Sequence, residues 1–143
     1  MEVIEIYGFK LKEKQRIKLP FFETSVAAGV PNPIESDSCV EIDLNEYLVD
    51  HPASTFFAKV RGLNMVQQGI RDGDILVVDT SIEPVDQKIV LVTINGSLTV
   101  KIFREIDGEI FLESQNRQFL PLMMEPYIEF KIIGVVTKII HSL

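Results

Sequence analysis

Few side chains in this sequence can do chemistry, and their types and spacing limit what that chemistry is. The single cysteine, Cys39, excludes an intrachain disulfide and a cysteine-rich zinc site. With only two histidines beside it, the chain lacks the ligands for a metal cluster, and neither metal nor cofactor is expected. Cys39 reads as a small packing residue rather than a reactive thiol. His51 stands next to Pro52 and reads as an imidazole at a helix end. Two positions remain. Asn64 lies in the stretch Arg61-Gly62-Leu63-Asn64-Met65-Val66-Gln67-Gln68-Gly69-Ile70, where it can cap a short helical turn that Gly69 ends. A side chain there projects from a strand-to-helix corner. Orphan backbone N–H groups point outward at such a corner, which makes it a common place for a reactive group. An asparagine there reads, on its own, as a cap. Lys101 follows the turn Asn95-Gly96, and strand alternation puts Thr99, Lys101 and Phe103 on one face. Taken alone, it reads as a solvated strand lysine.

The elements that would position these groups are mostly strands. Thr55 to Val60, Ile75 to Val78, Lys88 to Ile94, Ser97 to Phe103, Glu109 to Leu112 and Phe130 to Ile140 are apolar and rich in β-branched residues. Asn95-Gly96 and Asp107-Gly108 predict two tight hairpins, because a type I′ turn needs positive φ at both central residues. Gly134 predicts a bulge or bend in the last strand. Asp43 to Glu46 has the form of a helix start, with Asp43 as cap and Leu44, Tyr47 and Leu48 on one face. His51-Pro52 ends that helix. Before residue 40 the chain is patchy. Lys10, Lys12, Lys14, Arg16 and Lys18 make a basic stretch that reads as a solvated strand face. Pro20, Gly29, Pro31, Pro33 and the run Glu35-Ser36-Asp37-Ser38 follow. Residues 1–39 therefore read as an extended N-terminal arm and residues 40–143 as the folded domain.

A chain of 143 residues sets a prior of one domain, with 46% hydrophobic and 24% charged residues. Its net charge of −7 argues against a bare nucleic-acid binder, which needs a basic face to displace counterions. No apolar run approaches the roughly 20 residues that span a bilayer, and the N-terminus has no signal-peptide pattern. A reducing cytoplasm is the expected home, with no membrane partner.

Several segments, in order, resemble the LexA-like self-cleaving peptidases, and within them the UmuD type. They are Ser25 to Pro33, Glu41 to Asn45, His51 to Thr55, Gly62 to Met65, Gly69 to Asp74, Thr99 to Lys101 and Phe130 to Ile140. The resemblance implies a mainly β fold: a strongly bent sheet of the LexA C-terminal type, with a short helix and an N-terminal arm. It also implies a self-cleavage reaction, in which a serine attacks a peptide bond in the chain's own arm and a lysine is the general base. A serine hydroxyl is a poor nucleophile until a base takes its proton. A lysine can take it only when an apolar site holds the amine neutral. By motif, Lys101 falls at the base position and Ala28-Gly29 at the cleavage bond, where small residues suit a tight cleft.

Position 64 departs from that pattern. The family places the nucleophilic serine there, after an acidic residue, whereas this chain has Leu63-Asn64. A carboxamide nitrogen is delocalised into its carbonyl and is no nucleophile at neutral pH, so the resemblance implies a chain that does not cut itself efficiently. Two neighbouring departures fit a naturally non-catalytic relative better than a one-residue inactivation. The resemblance further implies a homodimer, a Y-family (UmuC-like) polymerase subunit as partner, and a RecA-type recombinase filament on single-stranded DNA as activator, in the SOS DNA-damage response. Two alternatives stand beside this reading. One is an active Ser-Lys protease captured as an Asn64 variant. The other is a transcriptional co-regulator without a DNA-binding domain, since the segment before Ala28 is too short for a helix-turn-helix domain.

Overall fold

The computed structural model describes residues 2–8, 17–22, 39–62, 68–114, 119–121 and 129–143. The chain forms two compact units, Lys12–Asp50 and a larger one made of Met1–Leu11 with His51–Leu143.

The larger unit is an antiparallel sheet. Its strands are β1 (Glu2–Gly8), β4 (Thr55–Arg61), β5 (Ile75–Asp79), β6 (Ile89–Ile94), β7 (Ser97–Ile106), β8 (Glu109–Glu113), β9 (Phe119–Pro121) and β10 (Phe130–Ile140), and β2 and β3 belong to the smaller unit. They lie side by side in the order β1-β4-β5-β10-β6-β7-β8-β9. Glu2 of β1 also pairs with Thr99 of β7, which closes six of the strands into a barrel-like ring. Ala58, Val60, Ile70, Leu76, Val78, Leu91, Val100 and Ile102 are buried together inside the ring. A second cluster, Val90, Val92, Phe103, Leu112 and Val135, occupies the opposite face of β6, β7, β8 and β10. Burial on both faces explains why Val90, Leu91 and Val92 are consecutive apolar residues, each 0% exposed, rather than one half of an alternating pattern.

Both expected hairpins are present. Asn95 and Gly96 have φ of 49° and 80°, and Asp107 and Gly108 have 51° and 79°, the left-handed pair that a type I′ turn requires. They join β6 to β7 and β7 to β8. The expected irregularity at Gly134 is a register shift between Ile132 and Gly134 where β10 pairs with β6. A Cβ at Gly134 would lie 2.8 Å from Val78 Cγ1 and 2.9 Å from the Asp79 carbonyl oxygen, so β10 can cross β5 this closely only with glycine there.

In the smaller unit, β2 (Lys18–Phe22) pairs with β3 (Cys39–Asp43), which runs directly into helix α1 (Leu44–Leu48). The Asp43 carboxylate accepts the Asn45 N–H at 2.9 Å, the cap expected from the sequence. The helix ends at Leu48, and a 3-10 turn at Pro52–Ser54 leads into β4. These units divide the chain elsewhere than at residue 39. β1 pairs along β4 from Glu2↔Arg61 to Gly8↔Phe56, inside the large sheet, and β3 pairs with β2. Val3 packs against the ring core, so the first residues carry more core than their two glutamates suggest.

Candidate active site around Lys101

Lys101 sits at the middle of β7, and the sheet register defines its surroundings. It pairs with Val90 on β6, and Val90 pairs in turn with Val135 on β10, so the three side chains form one row across the sheet. Along β7 on the same face, Phe103 is 4% exposed and neighbours Leu112, and Val92 lies opposite Thr99. The lysine is half-buried in this second apolar cluster. Among the described residues no carboxylate pairs with it. Glu2, which faces the same side through its pairing with Thr99, is held instead by Arg61 Nη2 at 3.0 Å. Burial without a counter-charge disfavours the ammonium form, and the Lys101 pKa is lowered by this desolvation. An exposed strand lysine, fully surrounded by water, meets no such penalty.

The other strand edge of β7 is broken at the same place. β1 reaches it only at Thr99, and β8 joins only from Ile102 onward. Among the described residues, Val100 and Lys101 therefore have no ladder partner on that side.

Asn64, Ala28 and Gly29 lie outside the described residues. What the structure describes is the chain on either side of residue 64. Gly62, at φ 116°, donates its N–H to Asp72 Oδ1 at 2.9 Å. The Val60 N–H reaches the Asp74 carbonyl at 3.0 Å, and the Gly73 N–H reaches the Val60 carbonyl at 2.9 Å. Asp74, 1% exposed, accepts the Arg71 N–H at 2.7 Å. Ile70 is fully buried in the ring core. The end of β4 and the start of β5 are thus tied together on either side of residues 63–67.

Two polar pairs escaped the reading of the sequence. His51 Nδ1 lies 2.6 Å from Asp79 Oδ2, and His141 Nδ1 lies 2.6 Å from Asp74 Oδ1. Asp74 just precedes β5 and Asp79 ends it, while His51 precedes β4 and His141 follows β10. Each histidine therefore ties a flanking strand to one end of β5. Residues 28 and 67 apart give no local signal of such contacts. His51 keeps its expected place at the surface, its side chain 56% exposed, and nothing nucleophilic adjoins its ring among the described contacts.

The family model of the Peptidase S24-like proteins matches residues 20–137, a span that contains the Asn64 motif, the row around Lys101 and most of β10. The chain belongs to the Peptidase S24-like family. Among its relatives, Protein SamA of Salmonella typhimurium is 36% identical over 123 residues, covering 86% of this chain and 85% of that protein. Protein MucA of Escherichia coli is 36% identical over 126 residues, covering 87% and 84%. The LexA repressor of Dechloromonas aromatica is 35% identical over 140 residues, covering 94% of this chain and 66% of the repressor. The mainly β fold with one short α-helix among the described residues agrees with membership of the S24-like family.

Proposed function

We propose that this S24-like protein is a UmuD-type accessory factor of damage-induced mutagenesis, built on a self-cleavage site that has lost its nucleophile. The observation that carries the reading is the contrast between positions 101 and 64. Lys101 is half-buried, with its pKa lowered by desolvation and no carboxylate partner among the described residues, which supports a base role, while Asn64 stands where the family's reaction needs a hydroxyl. A base of this kind takes the proton of an O–H onto its nitrogen, forms no bond to the peptide carbonyl carbon, and has no part in the cut without that O–H. Ala28-Gly29 would be the bond offered to the site and would stay intact. In that state the protein acts by binding, as a homodimer, to a Y-family polymerase subunit in the cytoplasm, and holds the uncleaved form that restrains it. The described residues include no helix long and apolar enough to cross a membrane, which is compatible with this reading.

Substitution Asn64→Ser tests the assignment of both positions. The variant is expected to cut between Ala28 and Gly29 in the presence of recombinase filament, and more slowly alone at alkaline pH, where more Lys101 is neutral. The double variant Asn64→Ser with Lys101→Ala should stay intact. Cleavage in the double variant would remove Lys101 from the base role, and none in the single one would mean that the cleft has decayed beyond one residue.

A further inference from the structure

Lys101 has a second consequence that does not require self-cleavage. A half-buried amine with no anionic partner among the described residues is itself a nucleophile in its neutral form, and a chain with asparagine at position 64 leaves it unspent. We propose that Lys101 is a modification site for small activated acyl groups, of the acyl phosphate class, because it shares the row of Val90 and Val135 on an apolar face of the sheet and no carboxylate among the described residues holds it as an ion pair.

Three observations bear on it. First, among the described residues the groups that face Lys101 across and along the sheet are Val90, Val135, Thr99 and Phe103, and none carries a charge. The carboxylate on its face, Glu2, is committed to Arg61. Secondly, among the described residues β1 reaches β7 only at Thr99 and β8 only from Ile102 onward, so Val100 and Lys101 have no described ladder partner on that edge. Thirdly, burial lowers the pKa of this lysine, whereas an ordinary lysine near 10.4 is only about 0.1% neutral at pH 7.5. Each unit of lowering multiplies the neutral fraction by about ten in that range.

The step balances without an oxidant or a cofactor. The neutral Nζ attacks the acyl carbon, and a C–N bond forms. The acyl C–O bond breaks, inorganic phosphate leaves with the bonding pair, and the proton lost from nitrogen passes to water or phosphate. The product is an uncharged amide in an apolar row, which relieves the cost of keeping an ammonium there. It would also block the lysine as a base. The proposal uses the same Lys101 environment as the functional reading, but it is scored by an adduct on Lys101 rather than by a cut at Ala28-Gly29, so the two can fail separately.

The test treats the unaltered protein with acetyl phosphate at pH 7.5 and at pH 10.5, and follows each lysine by peptide mass spectrometry. The exposed Lys88 and Lys131 serve as internal references. Lys101 is expected to acetylate at least fivefold faster than either at pH 7.5, with that lead shrinking at pH 10.5 as the references lose their protons. A Lys101 rate at pH 7.5 equal to or below the references overturns the proposal. A lead of the same size at both pH values overturns it too, since selectivity would then come from something other than a neutral amine.

Discussion

Asp79→Asn should cost the folded protein about 2 kcal/mol at neutral pH and close to nothing at pH 2. Asp79 closes β5 with its side chain 3% exposed. Its carboxylate faces His51 Nδ1 at 2.6 Å and accepts from Ser54 Oγ at 3.0 Å, the Ser81 N–H at 2.9 Å and Ser81 Oγ at 2.7 Å. Burial alone would raise its pKa, but the bonds from Ser81, His51 and Ser54 together outweigh it and bring the value from 3.8 to about 2. A drop of nearly two units, at about 1.36 kcal/mol each, gives the figure of about 2 kcal/mol. The sign follows from the direction. A carboxylate whose pKa is depressed by folding contributes fully above its unfolded value, and the contribution fades as the pH falls from about 4 to 2. Asparagine keeps the shape and an acceptor for the serine donors, so the comparison isolates the charge. Urea unfolding of both proteins across pH 2.5 to 7 measures the difference. A cost below about 0.5 kcal/mol at pH 7, or one that does not change with pH, would refute the hydrogen-bond account of Asp79.

Three further substitutions probe the frame around the site. Gly134→Ala forces a Cβ to within 2.9 Å of the Asp79 carbonyl oxygen, and should lower the urea midpoint by an amount equivalent to about 1–3 kcal/mol. Gln87 has φ 72° and, with Lys88, stands opposite Phe103 in a bulge closed by bonds of 2.8 and 2.7 Å, so Gln87→Gly should raise stability by up to about 1 kcal/mol through relief of the left-handed strain. Lys101→Met should raise the urea midpoint at pH 7 while leaving the fold unchanged by circular dichroism, because it replaces a poorly solvated charge with an apolar chain of similar length.

The strands of the large unit were legible because their side-chain types and turns agree. Asn95-Gly96 and Asp107-Gly108 fix two registers locally, and β4, β5, β6, β8 and β10 fall within a residue or two of the apolar runs. β7 runs three residues past Phe103 because Arg104 is held by Asp86 and Glu113, a long-range ion network that no local pattern shows. β1 was missed for a related reason. Its glutamates hide a strand whose pairing partner β4 lies more than 40 residues away, and ring closure rests on the single pair Glu2↔Thr99. At the site, alternation correctly put Thr99, Lys101 and Phe103 on one face, yet alone it gave the lysine to solvent. That face is half-buried at Lys101 because β6 and β10 bring Val90 and Val135 alongside, a fact of sheet order rather than of sequence spacing.

The most direct test of the account is the intact mass of the unaltered chain after incubation with recombinase filament, nucleotide and single-stranded DNA, with a parallel sample at alkaline pH. The account predicts an unchanged mass in both, since Lys101 has no hydroxyl at position 64 to activate. Two fragments from a cut between Ala28 and Gly29 would contradict it, and would mean that a group other than the one at position 64 attacks the bond.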